Sequence, residues 1–202
     1  MQQGLLFDLP EPPPPRLPPG MVVARDFLSA QEEAGLITLL RQLPLAPARY
    51  KGYTARRQVV SYGGSFDYDS NELLPAAPLP EPLHPLRDRM AAWAGLPPHA
   101  LVHALVAEYP PGTPLGWHRD VPDFEDIIGL SLGGPAVLRF RPYPPVALTR
   151  ADVIPVTAEP RAIYLLRGPA RWDWQHSVSP VKALRWSVTF RTGRGRGRGW
   201  GR

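Results

Sequence analysis

The run Arg185-Trp186-Ser187-Val188-Thr189-Phe190-Arg191 alternates strictly between two faces. In extended chain, successive side chains point to opposite sides. Trp186, Val188 and Phe190 then fill an apolar core face, while Arg185, Ser187, Thr189 and Arg191 share the other. Two inward guanidiniums on one strand are costly to bury unless anions meet them. A dicarboxylate ligand would satisfy both, because the guanidinium fork matches carboxylate geometry. Internal Asp or Glu partners would serve equally well.

Upstream of this strand the same texture recurs. Leu101–Tyr109, Asp126–Leu132, Ala136–Arg141, Asp152–Val156, Ala162–Leu166 and Arg171–Val178 are short apolar or alternating runs. Breaks such as Pro110-Pro111-Gly112 and Gly133-Gly134-Pro135 separate them. Short strands with turn signals at this spacing predict a sandwich or barrel. Two helices precede it. Ser29 with Glu32 forms a capping box ahead of the Leu36, Ile37, Leu40 and Leu43 stripe. Leu83, Leu86, Met90 and Trp93 line one side of a second helix, stopped near Gly95. The fold class is therefore mainly β with flanking helices (α+β).

The ends differ from this body. Of 202 residues, 28 are proline, against roughly 5% in average usage, and seven fall between Pro10 and Pro19. Proline removes amide donors and favours extended polyproline conformations, so Pro10 to Pro19 reads as a semi-rigid spacer within a flexible Pro-rich N-terminal segment (1–20), and 21–191 as the domain. Residues 192–202 form a Gly/Arg tail too polar to pack. The net charge is +5, and Arg194, Arg196, Arg198 and Arg202 supply most of it. The body is close to neutral and argues for no polyanionic partner by charge alone. Without cysteine, disulfides, Cys-based metal sites and a thiol nucleophile are excluded. No apolar run approaches the roughly 20 residues of a membrane helix, and the start MQQGLLFDLP lacks a basic n-region. The expectation is a cytoplasmic monomer with no membrane partner.

The chemistry-bearing constellation lies in Gly116-Trp117-His118-Arg119-Asp120. His118 and Asp120 are two apart, so an extended backbone turns both side chains the same way. His176 stands 56 positions downstream in an expected strand. Two imidazoles and one carboxylate are the facial triad of non-haem Fe(II) oxygenases, which leaves positions open for a co-substrate and dioxygen. Taken singly, the His118–Asp120 pair is a weak signal. The three other histidines, His84, His99 and His103, read as structural or surface residues.

The ordered series is more specific. Tyr109-Pro110-Pro111-Gly112, Leu115, His118, Asp120, Ser131-Leu132-Gly133, Pro135-Ala136, His176 and Arg185 to Arg191 together resemble the AlkB family of Fe(II)- and 2-oxoglutarate-dependent dioxygenases. The match covers about 105–191. The resemblance implies a double-stranded β-helix (jelly-roll) core, with iron held by His118, Asp120 and His176. It implies that Tyr109 and Arg185 bind the distal carboxylate of 2-oxoglutarate, and that Arg191 engages its iron-chelating end. Similar enzymes use O2 and 2-oxoglutarate to hydroxylate an N-methyl group on a nucleobase, releasing succinate and carbon dioxide. The product then collapses to formaldehyde and free base. The sequence departs from the family at Ala107 and Ser187, where asparagines commonly help hold the co-substrate. It departs again at Pro122, where an acid commonly helps read the damaged base, and Asp123 follows as a candidate substitute.

The implied function is oxidative demethylation of alkylated DNA or RNA. The rivals are an AlkB-like enzyme acting on RNA modification or on protein, and a non-catalytic jelly roll that binds nucleic acid. Tyr50 to Tyr68 mixes aromatics with Lys51, Arg56 and Arg57 around Gly63-Gly64. Aromatics for stacking and arginines for phosphates suit an extruded base, and in position the segment resembles the family's nucleotide-recognition lid, with Tyr62 the candidate stacker. The alternative is a surface hairpin whose tyrosines pack on the domain. Gln3-Gly4-Leu5-Leu6-Phe7 resembles the peptide by which bacterial repair proteins bind the sliding clamp, although Gly4 and Leu5 depart from it. The alternative there is a terminal strand docked on its own domain.

Overall fold

A computed structural model describes residues 16–50, 52–67 and 72–195. The Gln3–Phe7 peptide, most of the proline run and residues 196–202 of the tail lie outside these, as do Lys51 and Tyr68. The elements are β1 (Met21–Ala24), α1 (Ala30–Leu40), β2 (Ala46–Tyr50), β3 (Tyr53–Tyr62), β4 (Ser65–Asp67), β5 (Glu72–Leu74), α2 (His84–Trp93), β6 (Leu101–Tyr109), β7 (Leu115–His118), β8 (Phe124–Gly133), β9 (Ala136–Pro142), β10 (Ile154–Ala158), β11 (Ile163–Leu166), α3 (Pro169–Trp172), β12 (Trp174–Val178) and β13 (Arg185–Gly193).

Two antiparallel sheets form the jelly roll. The larger has the order β1-β11-β8-β13-β6-β3-β2 and the smaller β10-β9-β12-β7. β13 lies at the centre of the larger sheet, paired with β6 on one side and β8 on the other. This explains its composition. Trp186, Val188 and Phe190 join Leu130, Leu132 and Met90 in a core sealed from outside by α1 and α2. The opposite face turns toward the smaller sheet, where Tyr109, Phe124, Leu138, Phe140 and Val178 make a second apolar cluster. Arg185, Ser187, Thr189 and Arg191 are all buried there.

The first helix begins as its sequence requires. The Ser29 hydroxyl accepts from the Glu32 amide at 3.2 Å, and the Glu32 carboxylate accepts from the Ser29 amide at 2.6 Å. One expected strand is corrected. Within 171–178, the segment Pro169–Trp172 is a single helical turn and only Trp174–Val178 is strand. Proline suits the first position of a helix, and Gly168 adopts φ +54° just before it. The packed body also reaches slightly beyond 21–191. Leu17 joins the second cluster, and β13 continues to Gly193. Among the described residues, no helix is long and apolar enough to cross a membrane.

Candidate active site

His118 and His176 are direct cross-strand partners on β7 and β12, with ring centroids 4.2 Å apart. Asp120 follows β7 by two residues, and its Oδ2 lies 3.6 Å from His176 Nε2. One ligand atom from each of the three falls within 4.8 Å of the others. The expected triad therefore converges, although its members come from two strands distant in sequence.

The surroundings fix which atoms are offered. His118 Nδ1–H donates to the Gly116 carbonyl at 2.9 Å, which leaves Nε2 as the lone-pair donor. Burial lowers the affinity of both imidazoles for protons; for His176, the neighbouring His118 adds to this and the pKa falls to about 3. Both rings are therefore neutral ligands at ordinary pH. For Asp120, burial alone would raise the pKa, but the Arg191 guanidinium outweighs it and holds the carboxyl well below its usual range. A charged carboxylate beside two neutral imidazoles, arranged on one side, is the donor set that suits Fe(II).

Arg191 reaches Asp120 Oδ1 through Nε at 2.9 Å and Nη2 at 2.6 Å. The guanidinium that the resemblance assigns to the chelating end of 2-oxoglutarate is thus already paired with an internal acid. In this structure it orients the Asp120 carboxylate. Its Nη1 lies 3.1 Å from His103 Nδ1. His103 is buried, stacks on Phe124 at 4.6 Å, and has its pKa pushed down to about 3, chiefly by burial and then by Arg191. A neutral His103 accepts from Arg191.

Arg185 is the contrast. It is 1% exposed, its Nε donates to Ser131 Oγ at 3.0 Å, and its guanidinium lies 4.9 Å from the Tyr109 ring centroid. Its Nη1 is buried with no hydrogen-bond partner, and no acid among the described residues pairs with it. A buried guanidinium with an unsatisfied N–H requires an anion, and the distal carboxylate of 2-oxoglutarate fits it. Tyr109 is buried beside it and accepts from Arg57 Nη1 at 3.1 Å. Burial would raise the Tyr109 pKa, but Arg57 and Arg185 overcome it and lower it. Ser187 is buried between Ala107 and Ser131 in register, so the two departures from the family pattern sit side by side.

Two expectations about the substrate are corrected. Arg57 is buried and donates to the Tyr109 hydroxyl, so it is turned away from the surface where a strand would lie. Tyr62 is 5% exposed in the first core cluster, so its ring is unable to stack on an extruded base. Gly63 adopts φ +77°, a Cβ at this position would come within 2.1 Å of the Val102 carbonyl, and its amide donates to Ala77, so the turn is packed tight. Arg56 is exposed, with Nη2 3.4 Å from the Pro111 carbonyl. Asp123 is exposed beyond the triad, its carbonyl accepting from the Arg194 amide.

Two neighbours of the site carry no motif signal. Arg171, buried in α3, donates to the carbonyls of Asp120, Val121 and Phe124 at 3.1, 2.7 and 2.9 Å. It ties down the backbone that delivers Asp120. Tyr164 packs its ring over Gly129, where a Cβ would come within 2.2 Å of it. Burial raises its pKa, and Arg185, Tyr109, Asp120 and Arg191 all lie within electrostatic reach. The strand alternation places Tyr164 facing inward, a pattern shared with many core tyrosines.

Comparisons with known proteins agree with this geometry. A family model described as the 2OG-Fe(II) oxygenase superfamily matches residues 20–196. The chain is 31% identical over 174 residues to the tRNA (carboxymethyluridine(34)-5-O)-methyltransferase alkbh8 of Xenopus tropicalis, covering 83% of this chain and 26% of that protein. It therefore spans about a quarter of the length of that relative. It is 31% identical over 157 residues to the alpha-ketoglutarate-dependent dioxygenase AlkB of Escherichia coli (strain K12), covering 69% of this chain and 66% of that one. Among solved structures it resembles OsALKBH1 with a TM-score of 0.67 at 20% identity, over 88% of this chain and 100% of the other. It also resembles a Pseudomonas putida prolyl-4-hydroxylase with a TM-score of 0.56 at 18% identity, over 87% and 94%. At those identities the structures speak to the fold alone.

Proposed function

The chain belongs to the 2OG-Fe(II) oxygenase superfamily, in its AlkB-like branch, and from that premise we propose an oxidative demethylase that acts on alkylated nucleobases and directly reverses damage. The observation that carries the reading is the converging His118–Asp120–His176 triad together with a buried arginine, Arg185, that keeps an unsatisfied N–H. Fe(II) bound there activates O2 for hydroxylation of a C–H bond, coupled to conversion of 2-oxoglutarate to succinate and carbon dioxide. The chain supplies the rest. Gly116 orients His118, Arg191 keeps Asp120 ionised, and Arg171 holds the Asp120 backbone. Arg185, beside Tyr109, would receive the distal carboxylate of the co-substrate.

Support for a nucleic-acid substrate comes from the names of the relatives and from the β2–β3 hairpin, which presents Arg49, Arg56 and a 63% exposed Tyr53. Tyr53 takes the stacking role that Tyr62 is unable to fill. The test is succinate release with Fe(II), with formaldehyde measured on methylated single-stranded DNA, duplex DNA and RNA. Release of formaldehyde from a methylated strand is expected, and loss of all turnover in His118→Ala. Succinate formation without formaldehyde on any methylated strand would overturn demethylation. A second reading, hydroxylation of a tRNA base, is favoured by the relatives named for tRNA. It predicts an oxygenated base and no formaldehyde.

A further inference from the structure

The outer face of the smaller sheet carries a second basic surface. Along β9 the alternation that sends Leu138 and Phe140 inward sends Arg139 and Arg141 outward. On β7, whose register shifts between Leu115 and His118, His118 faces the triad while Trp117 lies with the two arginines. The three meet: the guanidiniums of Arg141 and Arg139 lie 4.4 and 5.1 Å from the Trp117 ring centroid. Each arginine is also held at one nitrogen. Arg139 Nε donates to Ser177 Oγ at 3.1 Å, and Arg141 Nε donates to Gln175 Oε1 at 2.9 Å. The terminal amino groups of both have no hydrogen bond or ion pair among the described residues.

The row continues toward the mouth of the site. Arg119, the residue between the two β7-side metal ligands, stacks on Tyr143 at 3.6 Å and donates from Nη1 to the Trp172 carbonyl at 3.0 Å. Trp172 in turn carries the Arg194 guanidinium at 4.7 Å. From Arg194 the chain continues into the Gly/Arg tail, with Arg196, Arg198, Trp200 and Arg202. Arginines fixed flat on aromatic rings lose little freedom when they donate further hydrogen bonds. Core ion pairs do not explain them, since Arg119, Arg139 and Arg141 have no acidic partner among the described residues.

We propose that this stripe, from Arg139 through Arg141 and Trp117 to Arg119 and Tyr143, is a docking surface for the phosphate backbone of a single nucleic-acid strand. Charge complementarity selects a polyanion, and a row of forked donors fits a linear one. Forked guanidinium donors match phosphate oxygens, so recognition is through phosphates and independent of base identity. The stripe ends at Arg119, the residue before Asp120, so a strand lying on it passes beside the triad. The inference rests on the reading that the substrate is a nucleic acid.

The test separates the two. Binding of an unmodified, labelled oligothymidylate is measured against salt for the full chain, for Arg139→Gln/Arg141→Gln and for a chain ending at Gly195. Each phosphate contact on a single strand contributes about 0.7 to the logarithmic salt slope. The double variant should bind about tenfold more weakly at low salt with a slope shallower by about 1 to 1.5. Its thermal midpoint and its strand-independent conversion of 2-oxoglutarate should match the wild type. In the wild type, the strand should protect Arg139 and Arg141 from arginine-selective chemical modification, a readout that needs no variant to fold. If the wild type binds no strand, the nucleic-acid reading itself fails. If it binds and the double variant binds equally, with loss confined to the chain ending at Gly195, the reading stands and this surface is overturned. Tighter binding to anionic vesicles than to the oligonucleotide also overturns it.

Discussion

Arg185 and Arg191 share a side chain, a strand and a face, yet the fold gives them different anions. Arg191 meets Asp120, while Arg185 keeps one N–H without a partner. Arg185→Leu is therefore expected to raise KM for 2-oxoglutarate by 10-fold or more, since a charged hydrogen bond is worth about 1.5–3 kcal/mol, with Fe(II) affinity unchanged. Equal loss of both would place Arg185 outside the co-substrate site. Arg171 acts on the metal instead, through the three carbonyls around Asp120. Arg171→Gln should weaken Fe(II) binding by roughly 10- to 100-fold, as loss of groups that orient ligands does, and isothermal titration of the metal reads it directly. The triad and both β13 arginines were legible because the chemistry restricts residue types at those places. Arg171 and His103 were not, since a buried arginine bonded to backbone carbonyls needs no sequence motif, only a neighbouring loop.

At the scale of elements, alternation and capping did most of the specifying. β6 spans Leu101–Tyr109 as its pattern predicts, and α1 starts at the Ser29 box. Ser29→Ala should cost about 1 kcal/mol, seen as a lower urea midpoint with unchanged activity. Leu130, wholly buried where β8 meets the helical layer, should cost about 2–5 kcal/mol when cut to alanine. A change below 1 kcal/mol would mean that the layer collapses around the gap. Elements were misread where local chemistry competes. Pro169 opens a helical turn inside an apparently extended run, and β3 looked like a lid because tyrosine and arginine serve equally on exposed and half-buried hairpins. Only the tertiary packing decided that Tyr62 and Arg57 are buried.

At the scale of the whole molecule, two buried histidines set the response to acid. His103 and His176 have pKa values pushed down to about 3 by burial, whereas the unfolded chain takes up protons near 6.5. Between those values the unfolded state binds more protons, so stability is highest above about pH 6.5 and falls as acid is added. Near pH 5 the loss is on the order of 2 kcal/mol for each histidine, measurable as a drop in urea midpoint for the metal-free protein. His103→Asn should show a smaller drop, and a midpoint that does not change with pH would contradict the assignment. Saturating Fe(II) should raise stability further, because the metal binds the folded state.

The +5 net charge resolves at this scale into places. Some of it sits in the tail and some is turned into a face by two antiparallel sheets. By itself the sequence determined the alternating strands, the helix caps and the donor types able to hold Fe(II) and a dicarboxylate, because these depend on residue chemistry and short periodicities. Tertiary structure alone decided which arginine was paired and which was left wanting an anion. It also decided which aromatic was exposed, and that Trp117, Arg139 and Arg141 meet on one surface. Those outcomes depend on contacts between residues distant in the chain, and no local pattern encodes the partner across a sheet.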